Sequence, residues 1–407
     1  MNFNGIQSLM AMFNGAPVTC KYNGVDVSTG TAPAEPTVIY GVKIATTVTS
    51  SSTALTYIDD AIGFTGARGN SGTFSYGSWQ DKFPFNKVKP CLYLNGAVNY
   101  YLNPLDYKLK VDGSAADITS GIDGDVMIEF PKIWWKFETI GTDLYVRYSN
   151  SQVDETYKCL AHMRGTTEKD FVYMSAYVGG TVNAQLSSLS GVLPVVSMYI
   201  GDARILAKTG DRINVDMVGY YQMFMLQILY LIMFKDRNSQ TALGRGYGIS
   251  TNTVKANTGG ANTRGLFYGE TTGKFQNKFC GIEDFFGNVQ TWADGFMCTE
   301  TRHILIGNEN FSNEGTGYTD FGQFGTADIL GQLSQVQGTT DLGFLAKTCT
   351  GTTSTYYCDY AALKISSYVY YGAAYNSSSL TGGIFESFSG FKSFNNNSSL
   401  GARLMAL

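Results

Sequence analysis

GIEDFFGNVQTWADGF, residues 281–296, sets four aromatic rings and three carboxylates among three glycines, with no histidine, cysteine or serine. Such a stretch is either the wall of a catalytic site or a block that holds other segments in place. The choice decides how the chain around it is read. Glycine permits close backbone approach, the side-chain amide of Asn288 can satisfy loop amides, and the indole of Trp292 fills a large interior space. These are the properties of a scaffold.

On the N-terminal side, DMVGYYQMFMLQILYLIMFKDRNSQ (216–240) places Val218, Tyr221, Met225, Ile228, Leu229 and Ile232 at helical spacing. The spacing predicts one long helix ended by the charged KDR, and its nearly all-round apolar surface predicts burial between layers. The apolar core of this run, Tyr220 to Phe234, is shorter than the ~20 residues of a membrane span and contains Gln222 and Gln227, so membrane insertion is not expected. The glycine- and asparagine-rich segment that follows reads as a long loop. Within it, GRGYG (244–248) lacks the Walker lysine and follows a helix, not a strand, so it fails as a phosphate loop.

Further out, DVMIEFPKIWWKFE (125–138) holds two strand-like runs meeting at Pro131, with Trp134 and Trp135 on opposite faces of an extended chain. DLYVRYS (143–149) is its expected hairpin partner. STGTAPAEPT (28–37) reads as an extended linker, because residues preceding proline are pushed out of the helical region. TVIYGVKIATTVT alternates as a strand does, and turn signals at GARGNSG, NGA and DGSA punctuate a β-rich unit after it. The organisation expected is an attachment segment and linker (1–37), a β-rich oligomerisation or attachment domain (38–124) and a ligand-binding domain (125–407).

Over 407 residues the chain is 44% hydrophobic, 14% aromatic and only 15% charged, with 47 glycines. That blend predicts short strands, many turns and long ordered loops. A net charge of −4 without a basic run argues against nucleic acid as a partner. The opening MNFNGIQSLMAMFNGAPV lacks the basic and apolar regions of a signal peptide. Seven cysteines without a CxxC pair read as free thiols, a Cys349–Cys358 bridge being the alternative.

Catalytic constellations are scarce. His162 and His303 are far apart and have no companion at metal-ligand spacing, so neither a triad nor a zinc site is expected. The acids of DGSAADITSGIDGD (112–125) lack EF-hand spacing. Adjacent acids such as Glu283 and Asp284 face opposite ways in a strand and cannot alone form a glycosidase couple. No cofactor and no metal is expected.

Gly287-Asn288-Val289-Gln290-Thr291-Trp292 resembles the "GNVWEW" block of the formylglycine-generating-enzyme branch of the C-type lectin fold. The resemblance implies an α+β, C-type lectin-like domain in which Asn288 and Trp292 are structural. The enzymes of that branch carry a reactive cysteine pair near the C-terminus, whereas this chain has no cysteine after Cys358. The motifs by which sugar-binding lectins of the fold hold calcium are missing from the C-terminal half. Gly372-Ala373-Ala374-Tyr375-Asn376, then FNNNSS, then the terminal GARLMAL are similar to phage tail receptor-binding proteins and the variable proteins of diversity-generating retroelements. Tyr375 stands where tryptophan is usual in that group. The resemblance spans roughly residues 125–407. It implies a virion protein, assembled in the host cytoplasm, that binds a bacterial cell-surface receptor and other tail proteins, as a homo-oligomer expected to be a trimer. The alternatives are a structural tail-fibre or baseplate subunit and a degenerate enzyme of the formylglycine-generating type.

Independently of that resemblance, residues 366–399 hold eight aromatics, ten serines, four asparagines and four glycines, with Glu386 and Lys392 the only charges. Binding loops have this composition: tyrosine gives rigid contact area, while Ser, Gly and Asn give adaptable hydrogen bonds. The residues expected to contact a ligand are Tyr368, Tyr370, Tyr371, Ala374, Tyr375, Ser377, Leu380, Glu386, Phe388, Phe391, Lys392, Phe394 and Asn396. Phe385 is expected in the core. Leu404, Met405 and Leu407 are expected in a buried terminal strand, with Arg403 as a salt-bridged structural anchor.

Overall fold

The computed structural model describes residues 35–210, 212–248, 254–364, 382–387, 389 and 398–407 in full. It also gives the backbone of short strands at Met12–Phe13, Ala16–Pro17, Cys20–Tyr22, Val25–Val27, Val369–Ala373 and Ser387–Phe391. Strand makes up 35% and helix 9%, and the described residues contain three α-helices: α1 (Ile200–Lys208), α2 (Tyr220–Phe234) and α3 (Ser239–Ala242). The α+β class expected for a lectin-like domain therefore gives way to a β-rich architecture of many small sheets without a barrel. Only α2 has enough consecutive apolar residues to be a long helix. The Thr-, Gly- and Tyr-rich remainder satisfies its backbone by strand pairing.

The chain divides into two compact units, Met1–Thr37 and Val38–Leu407. The first holds two antiparallel strand pairs, Met12–Phe13 with Ala16–Pro17 and Cys20–Tyr22 with Val25–Val27. Within the second, residues 38–124 are not set apart from residues 125–407 as a separate β-rich domain. A seven-stranded sheet runs in the order Val215–Met217, Leu404–Ala406, Phe171–Ser175, Asp125–Pro131, Lys89–Leu94, Ala97–Asn103 and Asp106–Lys110, mixing strands from both stretches. A four-stranded antiparallel sheet does the same: Trp134–Ile140, Asp143–Ser149, Ile39–Ala45, Leu55–Asp59. Its first hairpin pairs Ile140 with Asp143, and Gly141 takes the left-handed turn position at φ 63°. Trp135 is fully buried and Trp134 only partly, as opposite faces require.

All fifteen residues of α2 are buried. Phe224 packs edge-on against Trp135 of the four-stranded sheet, and Tyr220 stacks on Phe296 of a third, eight-stranded sheet at 5.3 Å. On the side away from Tyr220, Gln222 donates to the Ala161 carbonyl at 2.7 Å, so the helix is covered all round, which explains its apolar surface. It is shorter than the 216–240 that spacing predicts. Asp216 and Met217 instead pair with Met405 and Leu404 at the sheet edge, and Gly219 is extended. At the other end Lys235 is left-handed (φ 51°) and its N–H donates to the Leu231 carbonyl. Arg237 is not a solvated helix end but is 1% exposed.

The eight-stranded sheet runs Thr319–Gln323, His303–Ile306, Gln290–Cys298, Val369–Ala373, Ser387–Phe391, Tyr360–Leu363 and Ile329–Gln332, with Leu400–Gly401 parallel beside Gln290–Cys298. No helix among the described residues is long and apolar enough to cross a membrane.

Candidate functional site

The quoted block is interior throughout, with every residue from Gly281 to Phe296 buried. Its carboxylates and amides organise the backbone around it. Asn288 sits at φ 54° and exchanges hydrogen bonds with Ala256: the Ala256 N–H donates to Oδ1 at 3.0 Å, and Nδ2 donates to the Ala256 carbonyl at 3.1 Å. The Asn288 N–H donates to the Tyr247 carbonyl at 2.7 Å. Gly287, at φ 92°, passes so close to Tyr247 that a Cβ there would lie 3.0 Å from its backbone nitrogen. Trp292 is fully buried, and its indole N–H donates to the Met198 carbonyl at 3.1 Å.

Three charges complete the attachment. Asp294 takes a two-pronged contact from Arg204 of α1, at 2.6 and 2.8 Å. Glu283 accepts the N–H groups of Gly259 and Ala261, each at 2.7 Å, which shapes the preceding loop. Burial pushes the Glu283 carboxyl up and the neighbouring Lys278 ammonium down, and Lys278 lies over the Tyr107 ring at 3.5 Å. Arg403 was expected in a salt bridge. Its Nη2 instead donates to the backbone carbonyls of Glu283 and Asp284, at 2.5 and 2.6 Å. The block therefore ties α1, Tyr247, the segment 256–261 and the C-terminal strand to one sheet.

The strand Gln290–Cys298 that leaves this block pairs directly with Val369–Ala373, which pairs in turn with Ser387–Phe391. Tyr370 lies opposite Phe391, Tyr371 opposite Ser389, and Gly372 opposite Phe388. Four of the expected ligand residues, Tyr370, Tyr371, Phe388 and Phe391, are thus brought onto two adjacent strands by their backbones. Tyr368, Ala374, Tyr375, Ser377, Leu380, Lys392, Phe394 and Asn396 lie outside the described residues. Glu386 departs from the expected ligand face, being 4% exposed. It immediately follows a tightly anchored turn that draws it inward. In that turn the Ile384 N–H donates to Ser239 Oγ at 3.1 Å, the Phe385 N–H donates to Asp359 Oδ2 at 3.0 Å, and Gln227 of α2 donates to the Ile384 carbonyl at 2.9 Å.

Asp359, Ser239 and Gln227 carry no motif in the sequence, and only long-range packing identifies them. Asp359 is fully buried, and desolvation pushes its carboxyl up to about 8 against the hydrogen bonds from Phe385 and Gln240. Phe385 is fully buried, and Leu404, Met405 and Leu407 are buried. Ser389 Oγ donates to the Ala362 carbonyl at 3.1 Å.

Elsewhere, His162 is buried and desolvation holds it down at about 3, while His303 Nδ1 lies 2.7 Å from Asp320. Six cysteines among the described residues are free, Cys349 and Cys358 included. Burial pushes the Cys298 thiol up to about 12, away from thiolate character. Among the described residues no three His, Cys, Asp or Glu side chains are grouped so as to hold a metal. Compared with models of known protein families and with curated proteins, the sequence finds no match.

Proposed function

We propose that this chain is a receptor-binding protein of a phage tail, which grips a bacterial surface receptor through the strands around Tyr370–Tyr371 and Phe388–Phe391 and performs no turnover. The reading is carried by one juxtaposition. Two uncharged strands drawn from the Tyr/Ser/Asn/Gly-rich segment pair with each other, and one of them pairs with the strand leaving the interior block. Binding surfaces of this composition work best when a rigid scaffold holds them, because less ordering entropy is lost on contact. The similarity of the terminal motifs to tail receptor-binding proteins supports the same conclusion. In this reading residues 1–37 attach the protein to the tail, and the assembled protein is a trimer. Linked copies then raise avidity by about 10²–10⁴ when geometry allows, so weak individual sites suffice.

The test uses the purified full chain, fluorescently labelled, on a panel of bacterial strains, with envelopes from any strain that binds. Saturable binding to some strains, with no sugar or peptide released from their envelopes, is expected. Released products would replace the binding reading with an enzymatic one. Failure to bind any strain would favour a structural tail subunit.

A further inference from the structure

A cavity of about 270 Å³ opens where the turn after Ile39–Ala45, the hairpin turn after Trp134–Ile140 and the segment 334–338 meet. No residue of the 366–399 segment lines it, and the inference drawn from it does not depend on the receptor-binding reading. Arg237, Tyr357 and Ser334 form its buried floor, and Thr47, Thr142, Gln335 and Lys347 its exposed rim.

Arg237 is 1% exposed. Its Nη2 donates to the carbonyls of Val48 and Ser50 at 2.7 and 2.8 Å, and the guanidinium faces the Tyr356 and Tyr357 rings at 5.6 and 5.2 Å. Its Nε is buried without a hydrogen-bond partner. The adjacent Asp236 is engaged elsewhere, 3.7 Å from Arg68 and accepting the Asn238 N–H. Among the described residues neither Arg237 nor Lys347 forms an ion pair. The charge of Asp236 reaches Arg237 without a direct ion pair, and a buried cation without a direct partner is costly unless something pairs with it. Here a second unpaired cation stands at the mouth of the same cavity.

We propose that this cavity binds an acidic sugar unit, with its carboxylate drawn to Arg237 and Lys347 and its hydroxyls met by Thr47, Thr142 and Gln335. Guanidinium groups pair with planar carboxylates through forked hydrogen bonds. A bare anion would use the two cations and leave the hydroxyl and amide rim idle, so the rim selects a polyhydroxylated ligand.

Glucuronate, glucose and inorganic phosphate are titrated into the full-length protein, followed by calorimetry and, for the sugars, by saturation-transfer NMR. Glucuronate is expected to bind, with glucose and phosphate each weaker by about tenfold or more. Lys347→Glu, at the exposed rim, weakens glucuronate by at least about tenfold. Lys274→Glu, on an exposed segment that does not line the cavity, leaves it unchanged. Gln335→Ala weakens the sugar several-fold and phosphate not at all. Glucose binding as tightly as glucuronate overturns the role of the cations. Phosphate binding as tightly overturns the sugar assignment, and the absence of glucuronate binding, or indifference to Lys347→Glu in a variant with wild-type melting, overturns the site.

Discussion

Asn288 shows how one residue can set the geometry of a distant loop. Its amide closes a reciprocal pair with Ala256 and donates to Asp284 Oδ2 at 2.8 Å, all from a left-handed backbone that asparagine tolerates well. Asn288→Ala leaves the half-buried Ala256 N–H and carbonyl without their partner and is expected to cost about 2 kcal/mol, measured by urea denaturation. A loss below about 1 kcal/mol would mean the loop is held by something else. Asp359 makes a pH prediction. Its folded-state pKa is raised from 3.8 to about 8, so the folded state holds the proton more tightly than the unfolded chain. Its contribution is fully present at low pH and is lost as pH rises through that window. The melting temperature of the wild type is expected to fall from pH 5 to pH 8 more steeply than that of Asp359→Asn, and parallel curves would refute the shift. Asn288 and Trp292 are legible in the sequence because a short motif carries them. Asp359 and Arg237 are not, because what matters about them is burial, and burial depends on segments far along the chain. Arg237 in particular reads as part of the charged KDR that ends the helix and is an interior cation.

At the scale of elements, α2 is the axis on which the sheets are hung. Phe224 touches Trp135, Phe137 and Phe344, and a Cβ added at Gly343 (φ 49°) would lie 1.9 Å from its ring. Phe224→Ala is expected to cost about 4 kcal/mol through the cavity it leaves. Gly343→Ala is expected to cost about 2 kcal/mol or more by overpacking and backbone strain. Calorimetric melts of both check this, and a neutral Gly343→Ala would show that the turn relaxes freely. The existence of α2 is visible in the spacing of its apolar residues, and its ends are not. Val215–Met217 leaves the helical pattern because a strand from the extreme C-terminus, Leu404–Ala406, pairs with it, and no local signal announces a partner so distant. The hairpin at 140–143 is legible for the opposite reason, since its two strands are neighbours in sequence.

At the scale of the molecule, the α+β class implied by the Gly287–Trp292 resemblance gives way to a β-rich one because α2 is the only long helix among the described residues, and strand outweighs helix by 35% to 9%. The strands that make the protein β-rich are mostly two to seven residues long, and those that join the hairpins into sheets pair across large sequence separations. Period-two alternation is too short in such elements to be read. The same interleaving joins residues 38–124 to the rest, whereas Met1–Thr37 packs as its own unit. A chain lacking residues 1–37 is therefore expected to melt within about 2 °C of the full protein. If those residues assemble the trimer, light scattering will report its mass falling to that of one chain.

The receptor-binding reading is tested most directly by Tyr371→Ala combined with Tyr375→Ala in the full-length protein, with binding to susceptible cells measured alongside a thermal melt. Interface tyrosines of this kind contribute about 2 kcal/mol each, so cell binding is expected to fall by more than about tenfold while the melt is unchanged. Full binding by a well-folded double variant would contradict it and move the receptor site to another face.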